Sequence, residues 1–126
     1  FAHYQQSDYL YSRCDSLGLI VWAEIPFVNR VTGYEAENAQ SQLRELIRQN
    51  FNHPSIYVWG LHNEVYHPHE YTSQLTAALH DLAKTEDPDR CFGEWLRAHG
   101  TSGEPECRYS GYEPVLRMVR KENSGY

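Results

Sequence analysis

Apolar residues in the first 90 positions recur with two different periods. Three segments, 7–17, 37–50 and 71–85, repeat them at helical spacing. Two near-continuous apolar runs, 19–25 and 55–61, lie between these segments, and such runs are typical of parallel strands covered on both faces. The order helix, strand, helix, strand, helix predicts an α/β protein with a parallel sheet and right-handed crossovers.

The residues at the ends and on the faces of these segments support the same elements. Ser7 can cap the first helix, and Gly18 stands where a helix commonly ends. In the second helix Leu43, Leu46 and Ile47 recur on one face, so we expect them to be buried.

The acidic composition argues against two classes of partner. The 126 residues include 11 Lys and Arg against 17 Asp and Glu, a net charge of −6, which disfavours nucleic acid and anionic membranes. No apolar stretch approaches the ~18 residues of a membrane span, and no signal peptide is visible. Because the chain opens within an element on Phe1, the compartment stays open (a cytoplasmic, periplasmic or secreted parent), as does a homo-oligomeric state of that parent.

Cysteine and histidine spacing indicates no metal site. Cys14, Cys91 and Cys107 are odd in number and lack ligand-like spacing, so we predict free thiols. The histidines that could suggest zinc are His53, His62, His67 and His69. They lack a helical i, i+4 pair and a cysteine partner, so we predict no bound metal and no cofactor, with His62, His67 and His69 solvated.

The best candidate for chemistry is the Asn63-Glu64 pair just after the run 55–61. Parallel sheets and barrels keep their chemistry at the carboxyl ends of strands. A carboxyl group at the mouth of an apolar strand is costly to ionise, so its pKa can rise toward that of a general acid. The alternative is that Glu64 is a solvated residue near a helix N-terminus.

Residues 59–64 (WGLHNE), preceded by NHPS at 52–55, resemble the acid/base motif of glycoside hydrolase family 2, which contains β-galactosidases and β-glucuronidases. Ala2-His3-Tyr4 and the residues of 9–15 resemble the family's SHYP…FY..CD stretch. The segment 17–27 (LGLIVWAEIPF) resembles its GLLVWxEIPF strand. Three blocks in the same order make the resemblance specific.

The resemblance covers about residues 1–90 and implies a fold. It makes them part of a catalytic (β/α)₈ TIM barrel, from about helix 2 to helix 4, and the two runs would be its third and fourth strands. A whole barrel needs about 250 residues, so we expect a partial barrel here.

The resemblance also implies an activity, the retaining hydrolysis of terminal β-D-galactosides with a carbohydrate as the partner. Such enzymes use two carboxyl groups ~5–5.5 Å apart. Glu64 matches the acid/base, and Asn63 matches the residue that binds the sugar 2-hydroxyl. His3 matches a histidine that contacts the sugar, although an exposed terminal histidine is an equal alternative. Glu24 matches a carboxylate that orients its neighbours. His53 matches the family's structural His-Pro corner. The family's nucleophile lies on the seventh strand, outside this chain, so we expect the chain alone to be inactive.

Several positions depart from the family pattern. Gln5 replaces a proline, which we expect to loosen the loop that aims His3. Ala23 replaces an acidic residue. The positions of a magnesium site found in some relatives fall near Val28 and Arg30, and neither of these residues can bind magnesium. Two tryptophans, Trp22 and Trp59, are candidate sugar platforms or core residues, and for Trp59 we favour the core.

Two other functions remain open. A β-glucuronidase or another family 2 glycosidase would use the same motif, although AEIPFVN with WGLHNE favours the galactosidase branch. A non-catalytic carbohydrate-binding barrel fragment would keep the fold without turnover. A strand downstream in the parent gene that bears the nucleophilic glutamate would decide for the enzyme.

The apolar periodicity disappears in 91–126, where Gly, Glu, Arg and Ser are frequent. A disordered, irregular tail is one interpretation. The other is out-of-frame translation. Read one nucleotide later, the codons of Pro114–Tyr126 can spell the Arg-Tyr-Phe-Gly-Trp-Tyr stretch with which the family continues, and Met118-Val119 forces its Trp codon. We favour a frameshift, and divide the chain into a partial catalytic domain, 1–90, and a poorly structured tail.

Overall fold

Three parallel strands alternate with three helices among the residues that this computed structural model describes. The structure describes residues 1–28, 34–65 and 70–96. The elements are α1 (Asp8–Leu17), β1 (Val21–Glu24), α2 (Ala36–Asn50), β2 (Ile56–Val65), α3 (Glu70–Glu86) and β3 (Cys91–Leu96). The five elements predicted from the sequence are all present in the predicted order, and β3 is an addition.

The sheet has the order β1-β2-β3, and both pairs of neighbours are parallel. In the register, Ala23 of β1 lies opposite Trp59 of β2, and Trp59 lies opposite Phe92 of β3. Because the strands are parallel, their carboxyl ends share one edge of the sheet. The arrangement fits a segment of a parallel barrel.

The helices pack on the sheet through one apolar cluster. In α2 the predicted face is confirmed, since Leu43, Leu46 and Ile47 are all buried. Gly18 ends α1 with a φ of 65°, in the left-handed region where glycine is favoured. None of the helices within the described ranges is both long enough and apolar enough to cross a membrane.

Strand β2 extends farther than its sequence predicts. The apolar run ends at Leu61, but the strand continues through Asn63 and Glu64 to Val65. Hydrogen bonding from both sides explains the extension: the Asn63 N–H donates to the Phe27 carbonyl oxygen across 2.9 Å, and β3 pairs on the other side. The two polar residues therefore belong to the strand rather than to the loop after it.

Strand β3 occupies the start of the segment where an irregular tail was expected. Phe92 is buried, with its ring 4.4 Å from that of His80 and under the Lys84 ammonium at 5.5 Å. Cys91 is buried as well, and the edge of β2 supplies the backbone partners of β3. The sheet thus continues to Leu96, and residues 97–126 lie outside the described residues.

The cysteines differ from one another. Cys14 is a buried free thiol, as predicted. The prediction is wrong for Cys91, which is disulfide-bonded. Sequence spacing could not reveal this, because an odd number of cysteines without a motif carries no information on pairing. Cys107 lies outside the described residues.

Trp59 is a core residue, as predicted. Its indole N–H donates to Oδ2 of Asp87 across 3.0 Å, inside the sheet-helix interface. Asp87 also pairs with Arg90 at 2.7 Å, and the Arg90 guanidinium lies 5.5 Å from the Trp59 ring centre. The turn between α3 and β3 is therefore fastened to the middle of the sheet.

Candidate active site

The Asn63-Glu64 pair lies near the carboxyl end of the central strand β2. Its backbone has neighbours on both sides, since Asn63 bridges to Val28 and pairs with Trp95 of β3. The Asn63 side chain is half-buried. The side chain of Glu64 lies outside what the structure describes. The predicted acid/base thus lies in the strand between two paired residues, Asn63 and Val65, where the register with β3 shifts. A strand positions a side chain more precisely than a loop does.

Glu24, the last residue of β1, provides a buried carboxylate at the same edge, with its side chain only 2% exposed. Its Oε1 lies 2.9 Å from Nδ1 of His3. Its Oε2 accepts a 2.8 Å hydrogen bond from the indole N–H of Trp22. In the register Glu24 lies opposite Gly60, four residues before Glu64 along β2. The contacts agree with an orienting role for Glu24, and its part in sugar binding stays a prediction.

His3 combines one fixed contact with an open face. Its Nδ1 contacts Glu24, while 41% of the side chain is exposed. The structure thus brings together His3 and Glu24, two of the predicted site residues. A histidine held on one side and open on the other can present its second ring nitrogen to a ligand.

The loop that carries His3 makes two side-chain hydrogen bonds. The Gln5 side-chain amide donates to the side-chain Oε1 of Gln49 in α2 across 2.9 Å. The Gln6 side chain donates to the Tyr4 backbone carbonyl at the same distance. The glutamine supplies a side-chain donor that proline lacks. The looser loop that we expect from Gln5 in place of a proline stays a prediction.

Gly60 and Trp22 complete the arrangement around Glu24, although the sequence suggested no part for Gly60. A Cβ built on Gly60 would lie 2.4 Å from both Nε1 of Trp22 and Cβ of Glu24. No side chain fits in that space. Glycine inside an apolar strand commonly marks such a close approach, so this signal was present in the sequence.

The predicted solvated state is wrong for His62. His62 is buried, its Nε2 lies 3.0 Å from Oγ1 of Thr76, and its ring meets Phe27 edge-on. The extension of β2 carries it into the layer of α3. His67 and His69 lie outside the described residues. Among the residues that the structure describes, no three His, Cys, Asp or Glu side chains form a group that could hold a metal ion.

His53 forms a structural corner before β2, at the end of the sheet opposite to the candidate site. Its Nδ1 lies 2.6 Å from Oδ2 of Asp15, and its Nε2 lies 3.1 Å from Oδ1 of Asp8. Asp15 also accepts the Ser55 N–H across 2.9 Å. These contacts attach the turn before β2 to α1, as expected for a His-Pro corner.

The charges at this corner reinforce one another. The hydrogen bond to Asp15 raises the pKa of His53, burial opposes this effect, and Asp8 adds to it. Burial alone would raise the pKa of Asp15, but hydrogen bonds from Ser55 and His53 outweigh it, so this pKa is lowered. Both shifts favour the charged forms of His53 and Asp15.

Comparison with known proteins identifies the relatives of this chain. A family model described as "Glycosyl hydrolases family 2, TIM barrel domain" matches residues 1–94. A β-glucuronidase of Bacteroides fragilis is 47% identical over 103 residues, covering 71% of this chain. A β-galactosidase of Thermoanaerobacterium thermosulfurigenes is 35% identical over 94 residues, covering 73% of this chain.

A solved structure is also similar to this chain. The crystal structure described as a β-galactosidase from Bacteroides fragilis superimposes with a TM-score of 0.77 and 61% sequence identity over 97% of this chain. The chain covers 20% of that structure, 14% of the β-glucuronidase and 13% of the second β-galactosidase. It therefore spans only a small share of the length of these relatives.

Proposed function

The chain belongs to glycoside hydrolase family 2, within its TIM-barrel domain, and from this premise we propose that it supplies the acid/base half of a retaining β-galactosidase. In this proposal the substrates are terminal β-D-galactosides. The second carboxyl group, the nucleophile, comes from another strand of the barrel.

Each site residue has its own role in the proposed reaction. Glu64 protonates the glycosidic oxygen as the bond to the aglycone breaks, and then removes a proton from the incoming water. Asn63 holds the sugar 2-hydroxyl with a hydrogen bond that strengthens in the transition state. His3 and Glu24 line the sugar site beside them.

One observation carries the proposal. The buried Glu24 carboxylate, held by His3 and Trp22, ends the strand next to the one that bears Asn63 and Glu64. These polar residues thus stand on neighbouring strands at one carboxyl edge of a parallel sheet, the edge where barrel enzymes bind their substrates. A buried carboxylate that served packing alone would have no need of this position.

A second candidate substrate class is the β-glucuronides. It is favoured by the 47% identity to the Bacteroides fragilis protein named β-glucuronidase. A glucuronide carries a carboxylate at C6 where a galactoside carries a hydroxymethyl group. The two substrate classes can therefore be separated with aryl glycosides that share one leaving group.

The test grafts residues 1–94 into two hosts, the 61%-identical Bacteroides fragilis protein and the 47%-identical β-glucuronidase. We expect both grafts to cleave glycosides with retention, and the β-glucuronidase host to shift its kcat/KM ratio toward galactosides. A shift of both hosts toward glucuronides would favour the second candidate. Folded grafts that hydrolyse neither substrate would indicate a non-catalytic carbohydrate-binding module.

A further inference from the structure

The Glu24 carboxyl group is the most constrained polar group near the candidate site. It is almost completely buried, and an ionised carboxylate in such a place must be compensated by hydrogen-bond donors. Both of its oxygens have a ring nitrogen within hydrogen-bond distance, Nδ1 of His3 at 2.9 Å and Nε1 of Trp22 at 2.8 Å. The positions of protons in this group determine what His3 offers to a ligand.

Trp22 determines the hydrogen-bonding role of one Glu24 oxygen. An indole Nε1 can only donate, so Oε2 of Glu24 must be an acceptor. The indole has little room to move away, because Gly60 lies against it and leaves no space even for a Cβ. The orientation of the Glu24 carboxyl group is therefore set by Trp22 and by the absence of a side chain at Gly60.

The remaining oxygen then sets the tautomer of His3. A carboxylate has no proton to give, so the contact between Oε1 and Nδ1 requires the proton on Nδ1. In the neutral ring Nε2 then carries a lone pair. Because the ring is partly exposed, that lone pair is available to a hydroxyl group.

We propose that Trp22, acting through Glu24, is a positioning residue that holds His3 as the Nδ1–H tautomer, so that Nε2 accepts a proton from a sugar hydroxyl. The sugar as ligand rests on the proposed function, whereas the tautomer does not. The alternative is a protonated Glu24 whose O–H donates to Nδ1, which would place the histidine proton on Nε2 and make it a donor toward the ligand.

Two-bond ¹H–¹⁵N correlation spectra of the full chain read the tautomer directly. Histidine rings are labelled with ¹⁵N, and the His3 signals are assigned by their loss in His3→Gln. The spectra are recorded at about pH 8, where an ordinary histidine ring is neutral. We expect the His3 proton on Nδ1, and a proton on Nε2 would overturn the proposal.

Glu24→Gln tests the role of Trp22. The indole donor must face the amide oxygen, which turns the amide NH₂ toward His3 and forces its proton onto Nε2. We therefore expect the tautomer to invert in Glu24→Gln, and to become mixed in the double variant Trp22→Phe with Glu24→Gln. Retention of the Nδ1 proton in the single variant, or a fully inverted tautomer in the double one, would overturn the proposal.

Trp59→Phe is the matched control. It removes an indole N–H that also donates to a buried carboxylate, that of Asp87, but does not contact His3. In the Glu24→Gln background it should leave the tautomer inverted, whatever it costs in stability. If the His3 tautomers were equally mixed in both double variants, Trp22 would have only a general packing role. Failure of the grafted enzymes to cleave glycosides would refute the proposed function without changing these spectra.

Discussion

Trp22 and Gly60 lie on neighbouring strands in such close contact that the indole nitrogen would be only 2.4 Å from a Cβ on the glycine. The same nitrogen donates to Glu24. The packing of these two residues therefore controls both the sheet at this point and the orientation of the buried carboxylate.

Gly60→Ala should lower the free energy of unfolding by about 1–3 kcal/mol, because the added methyl group must displace Trp22 or the strand. Trp22→Phe in the same chain removes one of the two clashing atoms, the indole nitrogen, and leaves Cβ of Glu24. The two changes together should therefore still cost less than their sum. Urea unfolding of the two single variants and the double variant measures this coupling.

Gly18→Ala is the control for that cycle. A Cβ at Gly18 meets no heavy atom within 4 Å, but its φ of 65° is strained for alanine, at a cost of about 1–2 kcal/mol. This cost should add to that of Trp22→Phe without coupling. If the losses of unfolding free energy for Gly60→Ala and Trp22→Phe were also simply additive, this would contradict the proposed clash between Trp22 and a side chain at position 60.

Local patterns predicted the elements because local interactions decide them. Leu43, Leu46 and Ile47 are buried as their spacing predicts, and Gly18 ends its helix. The WGLHNE motif identified the family because its residues adjoin in sequence. In each case the order of residues within one segment was enough for the prediction.

Long-range pairing decided what the sequence could not predict. Asn63 belongs to a strand because the Phe27 carbonyl oxygen and β3 reach it from both sides. His62 is buried for the same reason. The contact of Trp22 with Gly60 depends on the register of two strands, and that register is invisible in either segment alone.

Glu64→Gln in the grafted enzymes should lower kcat by ~10²–10⁴ for glycosides with poor leaving groups, since these require protonation of the glycosidic oxygen. Activated aryl glycosides need less protonation and should lose less in the bond-breaking step. Pre-steady-state kinetics with leaving groups of graded pKa measures the difference. Equal losses across the series would remove Glu64 from the acid role.

Asp15→Asn should destabilise the chain more than Asp8→Asn does, although both residues contact His53. Asp15 lies closer, is only 20% exposed and also accepts the Ser55 N–H, so we expect a loss of about 1.5–3 kcal/mol. Asp8 is 86% exposed, so its removal should cost at most about 0.5 kcal/mol. Thermal or urea unfolding near pH 6 compares the two variants. Equal losses of unfolding free energy would contradict the larger contribution that we assign to Asp15.

The stability that His53 contributes should depend on pH in a defined direction. Because the folded-state pKa of His53 is raised above its ordinary 6.5, the charged ring stabilises the fold fully below that value. This contribution is lost as the pH rises through the raised pKa. Asp15, whose pKa is lowered, stays charged throughout that range. The difference in unfolding free energy between the wild type and His53→Gln should therefore be largest near pH 5–6 and shrink toward pH 9, as measured by urea unfolding in a pH series. A difference that grew with pH would mean that the neutral ring, rather than its ion pair with Asp15, holds the corner.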